Sequence, residues 1–198
     1  MKAIRKIQEE HRSISALLHA LKHLAREAQD VRVKPDFTVF RAILHYIDAF
    51  PERLHHPKED GFLFPPLVAR APEAQALIDS LRAEHQEAAQ LVRELERSLI
   101  LFEDSWPAGG REFLQRVDAY ADFHWKHMRK EEDQLLPLAE RTLSAADWEV
   151  IDWAFDANRD PIAGVNERDF RTLFSRIVSL APAPVGLGEP WKKAANQS

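Results

Sequence analysis

Between Met1 and Asp60 the chain contains no glycine, and before residue 160 it has only Gly61, Gly109 and Gly110. Stretches this long, rich in Ala, Leu, Glu, Arg and Gln, favour helix over other regular structure. Valine and isoleucine are scattered, and no alternating strand pattern appears. Turn chemistry falls at Val33-Lys34-Pro35-Asp36, from Pro65-Pro66 to Ala71-Pro72, and at Ser105-Trp106-Pro107-Ala108-Gly109-Gly110. These breaks predict four long helices over roughly 2–31, 36–64, 73–104 and 110–141, each about 40–50 Å long at ~1.5 Å per residue. A short helix is expected from Ser144, a good cap, and another over Asn166 to Leu180, before an extended Pro/Gly tail from Ala181 to Pro190. The expected fold is all-α: an up-down-up-down four-helix bundle over 1–141, with helices and tail of 142–198 packed on it.

Within each long segment the apolar residues recur at spacings of three and four, the seam of a helix bundle. The first seam reads Ile4, Ile7, His11, Ile14, Leu18, Leu21, Ala25. The second runs Phe37, Phe40, Leu44, Ile47, Pro51, then His55, Lys58 or Glu59, and Phe62. The third is Ile78, Leu81, His85, Ala88, Val92, Leu95, Leu99, Phe102, and the fourth Phe113, Val117, Tyr120, His124, His127, Glu131, Gln134, Leu138. Each helix therefore sends a histidine into an apolar core, where an unpaired polar group is costly.

Two of the helices supply a reason. His55-His56-Pro57-Lys58-Glu59 and His127-Met128-Arg129-Lys130-Glu131 both read His-x-x-x-Glu, which puts imidazole and carboxylate on one face. The motifs share their surroundings, Glu59-Asp60-Gly61-Phe62-Leu63-Phe64-Pro65 against Glu131-Glu132-Asp133-Gln134-Leu135-Leu136-Pro137, and Glu10-His11 repeats as Glu84-His85. His11 and His55 are 44 residues apart and His85 and His127 are 42 apart, so the chain reads as a duplicated helix pair. In antiparallel topology the four histidines fall roughly 13–21 Å from one end of the bundle, at ~1.5 Å per residue. Shared depth, face and repeat point to a metal site made by His11, His55, Glu59, His85, His127 and Glu131. Imidazole and carboxylate without thiolate suit iron, manganese or zinc. Six ligands exceed what one tetrahedral zinc needs, and two symmetric pairs suit two metals bridged by the glutamates. Glu52-Arg53-Leu54-His55 has the Glu-x-x-His spacing of ferritin-like di-iron bundles once, but the single-ligand helices offer histidine rather than glutamate.

With these motifs the sequence closely resembles the hemerythrin-like family of HHE cation-binding domains over residues 1 to about 141. The matching elements are Glu10-His11, His55-His56-Pro57-Lys58-Glu59-Asp60 with Leu63-Phe64-Pro65, Glu84-His85, and His127-Met128-Arg129-Lys130-Glu131-Glu132. The resemblance implies a non-haem di-iron centre, with Glu59 and Glu131 bridging two iron ions and His11, His55, His85 and His127 as terminal ligands; manganese and zinc rank below iron. Oxygen-carrying members have a fifth histidine, which the resemblance would put at position 89. Ala89 stands there. The chain is thus more similar to the branch with four histidines and two glutamates, which includes iron–sulfur repair proteins and iron-responsive domains. The cysteine-bearing N-terminal domain of the repair proteins has no counterpart in these residues.

Several polar residues have two readings. His124, one turn from His127, is either a fifth ligand or hydrogen-bond donor turned towards the space left by Ala89, or a core histidine bonded to a carboxylate or carbonyl. Tyr120 either lines an oxygen pocket or packs. His56, His19, His23 and His45 lie off the seams and are expected to be partly solvated. Pro57 should kink or bulge its helix. Trp148, Trp153 and Phe155 should pack the fifth helix on the bundle. Asp60 and Glu132 are expected to matter little to metal content.

Composition narrows the function. Lys plus Arg number 27 and Asp plus Glu 32, a net charge of −5, which argues against a nucleic-acid partner. The absence of cysteine removes disulfides, thiolate metal sites and cysteine nucleophiles. No apolar run reaches the roughly 20 residues of a membrane span, and the charged N-terminus does not read as a signal peptide, so a cytoplasmic protein is expected. The first expected function is binding or sensing of oxygen, nitric oxide or iron. The second is a di-iron enzyme acting on peroxide or nitrogen oxides, or donating iron for iron–sulfur repair. The third is a metal-stabilised interaction module. The expected partner is a small diatomic ligand or peroxide, with no membrane partner; a homodimer is left open.

Overall fold

A computed structural model describes residues 1–156 and 167–191. Among them there is no strand, and six helices form the chain. Helix α1 is Lys2–Glu27 and α2 spans 38–70. Helix α3 is Gln75–Ser105 and α4 spans 110–142. Helix α5 is Ala145–Asp156 and α6 is Glu167–Leu180. The first four make the up-down-up-down bundle, α5 packs on α1, and α6 packs on α2. Asn166, the expected start of α6, lies outside the described residues.

The seams face inward as read, up to the two ligand-bearing glutamates. Ile7, His11, Ile14, Leu18, Leu21 and Ala25 are buried on α1, and every seam residue of α3 is buried. On α2 and α4 the face then moves one residue later. Leu63 is buried where Phe62 was expected, and Leu135 and Ala139 where Gln134 and Leu138 were expected. The cause is a widened turn. Glu59–Leu63 and Glu131–Leu135 are π-helical, with the amide of Phe64 donating to the Glu59 carbonyl and that of Leu136 to the Glu131 carbonyl, five residues back. Pro65 and Pro137 sit just beyond, without an amide proton and with a ring that crowds the preceding turn of a regular helix. The bulge expected near Pro57 is also present, as π-helical Asp48–His55 immediately before it and Glu59–Leu63 after it.

The core divides into two apolar layers. One contains Ile14, Leu17, Leu18, Leu54, Val92, Tyr120 and Ala121; the other contains Ile7, Leu63, Leu67, Ile78, Leu81, Leu135 and Phe155. On every bundle helix the histidine falls between them, so the polar residues form a slab closed by hydrocarbon on both sides.

The connections follow their chemistry. Gly109 takes φ +83° at the start of α4, a left-handed conformation that disfavours a side chain. Ser144 caps α5 reciprocally: its amide donates to Asp147 Oδ2 at 2.8 Å and the Asp147 amide donates back to Ser144 Oγ at 3.3 Å. Trp148 and Phe155 do pack α5 inward, whereas Trp153 is 64% exposed and meets the Phe62 ring edge-to-face. The tail is not extended. The amides of Leu187 and Gly188 donate to the carbonyls of Val178 and Ala181 at 2.8 Å each, folding 181–188 into a turn over the end of α6.

Candidate metal centre

Burial makes the six expected ligands unusual from the outset. His11, His55, His85 and His127 are 3, 1, 6 and 3% exposed, and Glu59 and Glu131 are fully buried. The helix register brings all six into the polar slab. His11 and His55 point their Nε2 atoms at each other, 3.1 Å apart. His11 Nε2 is 3.3 Å from Glu131 Oε2, and His55 Nε2 is 3.6 Å from Glu59 Oε1. On the other side His85 Nε2 is 3.6 Å from Glu59 Oε2 and 3.7 Å from Glu131 Oε1, and His127 Nε2 is 3.2 Å from Glu131 Oε1. Each glutamate therefore shows one oxygen to one histidine pair and its second oxygen to the other pair. Two groups result, His11–His55–Glu59–Glu131 and Glu59–His85–His127–Glu131, each with ligand atoms within 4.8 Å of one another.

The outward nitrogens are held just as regularly. His55 Nδ1 donates to Glu10 at 2.7 Å and His127 Nδ1 to Glu84 at 2.9 Å. His11 Nδ1 donates to Glu132 at 2.8 Å, and His85 Nδ1 lies 3.2 Å from Asp60. Glu10 and Glu84 each precede one of the four inward histidines, and Asp60 and Glu132 each follow an inward glutamate, so the duplication extends to these carboxylates. Partners on the Nδ1 side orient the rings, so that loss of the Nε2 proton would leave an inward lone pair, the state a metal requires.

The inward atoms lack other partners. Both oxygens of Glu59 and of Glu131, with Nε2 of His85 and of His127, are buried and accept or donate no hydrogen bond. Bare carboxylates facing each other in hydrocarbon call for cations. Protons answer part of that demand. Burial opposes charge on His11, yet the nearby Glu131 carboxylate and the bond to Glu132 outweigh it and raise its pKa to about 9. His85 is raised to about 9 against burial by Asp60 and Glu131, and His127 to about 10, also against burial, by the Glu131 charge and the bond to Glu84. Burial and the Glu131 charge push Glu59 up to about 7, while the surrounding histidines, His127 foremost, hold Glu131 down despite its burial. The donor set, its orphaned oxygens and its pre-oriented imidazoles fit a pair of metal ions.

The hemerythrin HHE cation-binding domain matches residues 2–139. The chain belongs to that family. No curated protein matches it. The His/Glu groups of this member are able to hold a metal. No helix among the described residues is long and apolar enough to cross a membrane.

Of the remaining polar residues, His124 follows the core-histidine reading and His56 departs from its expected solvation. His124 stands in neither group of the pair. Its Nδ1 donates to the Tyr120 carbonyl at 3.3 Å, and its Nε2 lies 3.2 Å from the Tyr120 hydroxyl and 3.5 Å from Glu52. His56 is not solvated: it is 4% exposed and stacks on His85 with ring centroids 4.2 Å apart and planes 8° apart. The π-helical turns around it rotate this off-seam residue inward. His19 and His45 are exposed and His23 half-buried. Asp60 and Glu132 are not idle neighbours, since each engages a ligand histidine.

Proposed function

We propose that this hemerythrin-like protein holds two iron ions and uses them to bind or sense oxygen, nitric oxide or iron itself. The observation that carries the reading is the double presentation of Glu59 and Glu131, each with one oxygen towards each histidine pair. In this reading His11 and His55 hold one ion, His85 and His127 the other, and the glutamates bridge them. A bound iron pair supplies redox chemistry and a coordination position open to a small molecule. Imidazole and carboxylate without thiolate suit iron, manganese or zinc, and the resemblance to hemerythrin-like proteins puts iron first.

The residues around the pair orient and isolate it. Four carboxylates fix the imidazole tautomers, and the apolar layers exclude bulk water. Two surface clefts reach histidines of the site, one between α1 and α4 and the other between α3 and α4. One, of about 550 Å³, reaches His11 beside Trp125, Met128 and Glu132. The other, of about 570 Å³, reaches His127 beside Phe123 and Lys130.

Anaerobic loading with ferrous iron, followed by metal analysis and absorption spectra on adding oxygen, nitric oxide or peroxide, tests the proposal. Close to two irons per chain and a reversible adduct are expected. One ion or none defeats it. Turnover of peroxide or a nitrogen oxide instead of an adduct makes the chain an enzyme.

A further inference from the structure

Beside the pair lies a second constellation that the four-histidine, two-glutamate set does not use. Glu52 is on α2, one turn before His56, and its side chain is 5% exposed. His124 reaches it from α4. His56 Nδ1 is 3.3 Å from Glu52 Oε2, and His124 Nε2 is 3.5 Å from Glu52 Oε1. The ligand atoms of all three residues lie within 4.8 Å of one another. Two atoms bound to one ion at about 2.0–2.1 Å in a tetrahedral shell are about 3.3–3.4 Å apart, close to these separations.

The hydrogen bonding leaves these atoms facing one another without enough protons. His124 spends its Nδ1 proton on the Tyr120 carbonyl, so its Nε2 turns a lone pair towards Glu52. His56 Nδ1 is buried and has no hydrogen-bond partner. The Tyr120 hydroxyl lies 3.4 Å from Glu52 Oε1 and 3.2 Å from His124 Nε2, but its single proton serves one of them. No lysine or arginine among the described residues pairs with Glu52.

We infer that Glu52, His56 and His124 form a third metal site, which takes a single divalent first-row transition ion. Two imidazoles and a carboxylate are the donor set of mononuclear zinc and non-haem ferrous centres, and thiolate is absent. Its stacking of His56 on His85 sets the third ion alongside the pair, within the same polar slab.

Titrating the metal-free chain with Zn²⁺ against a chromophoric chelator, with native mass spectrometry, counts the ions. Three per chain are expected, falling to two in Glu52→Gln and in His124→Ala. Tyr120→Phe, which keeps all three donors, should retain three. Glu59→Gln with Glu131→Gln should retain one. Two ions in the parent chain overturn the inference and leave the pair intact. So does a third ion that survives both Glu52→Gln and His124→Ala. A single ion removed by Glu52→Gln but kept without Glu59 and Glu131 supports the third site and sinks the pair. Circular dichroism checks folding, and the near-isosteric Glu52→Gln decides the matter if His124→Ala does not fold.

Discussion

Glu10 accepts the Nδ1 proton of His55 at 2.7 Å, across two helices, although Glu10 itself sits next to a different ligand, His11. Glu84, next to His85, does the same for His127 at 2.9 Å. Each helix pair thus cross-braces its own site: the carboxylate beside one histidine orients the histidine of the facing helix. Glu10 is 4% exposed and its carboxyl is held below its usual range against burial, chiefly by the bond to His55. Removal of such an orienting partner typically weakens metal binding about 10–100-fold. Glu10→Ala should show a loss of that size in chelator competition, with Glu10→Gln losing less because it still accepts the proton. Asp60→Ala and Glu132→Ala should weaken binding too, nearer tenfold, since both side chains are half open to water. Unchanged affinity in all of these variants would make the bracing irrelevant to the metals.

The glutamates at the centre should behave differently. Glu59→Ala or Glu131→Ala removes a donor shared by both groups, so metal analysis should find at most one ion of the pair. The metal-free chain should move the other way. Glu59 is pushed up to about 7 by burial and by Glu131, so at pH 8 the folded chain confines two like charges. Glu59→Gln should therefore melt several degrees higher than the metal-free parent, at about 2–4 °C per kcal/mol for a chain of this size. A lower melting temperature would show that the carboxylates do not oppose folding.

Protons and metals compete for the same nitrogens, which fixes a pH dependence. His11 and His85 have folded pKa values of about 9 and His127 of about 10, above their ordinary 6.5. Between those limits the folded, metal-free chain binds more protons than the unfolded chain, so its stability falls as pH rises from about 6.5 towards 10. The stabilisation is complete below about 6.5. In the metal-loaded chain the ions replace these protons, and the fall should vanish. Denaturant midpoints from pH 6 to 10, with and without chelator, read this directly. Loading at pH 7.5 in weak buffer should also release protons. Parallel pH profiles for both forms would contradict the competition.

The fold class, the bundle seams and the six inward residues were legible because each follows from spacing along one helix. His11, Ile14 and Leu18 share a face whatever the partner helix does. Legibility failed where the helix changed pitch. A heptad continued through Glu59 and Glu131 selects Phe62 and Gln134, but the π-helical turns add a residue and bury Leu63 and Leu135. The same turns hid the burial of His56. The repeated spacing of Glu59 to Pro65 and Glu131 to Pro137 was the available signal. The Glu10 and Glu84 bonds were visible as a repeated Glu-His pair, but their targets lie on another helix, and side-chain reach across helices is not encoded in spacing. His124 had a carboxylate partner, Glu52, whose role is set by tertiary contact alone.

The C-terminal extension gives a test of what the metal centre owes to its surroundings. A methyl group at Gly186 would stand 2.3 Å from the Val178 carbonyl oxygen and 2.5 Å from that of Ala181, contacts with backbone that no side-chain rotation relieves. The turn that Gly186 allows brings Leu187 into hydrogen bond with Val178, and Trp191 beyond it tilts onto Phe40 with centroids 5.8 Å apart. Phe40 belongs to the apolar layer that contains Ile14 and Leu54, not to the layer with Ile7 and Leu63. Gly186→Ala should therefore detach the tail and lower the melting temperature by several degrees, as expected when an added methyl overpacks against backbone. The six inward histidines and glutamates lie beyond that layer's inner face, on four helices that the tail does not join. Metal content should stay that of the parent chain. Loss of an ion on Gly186→Ala would mean that the extension, and not the bundle alone, holds the ligands in place.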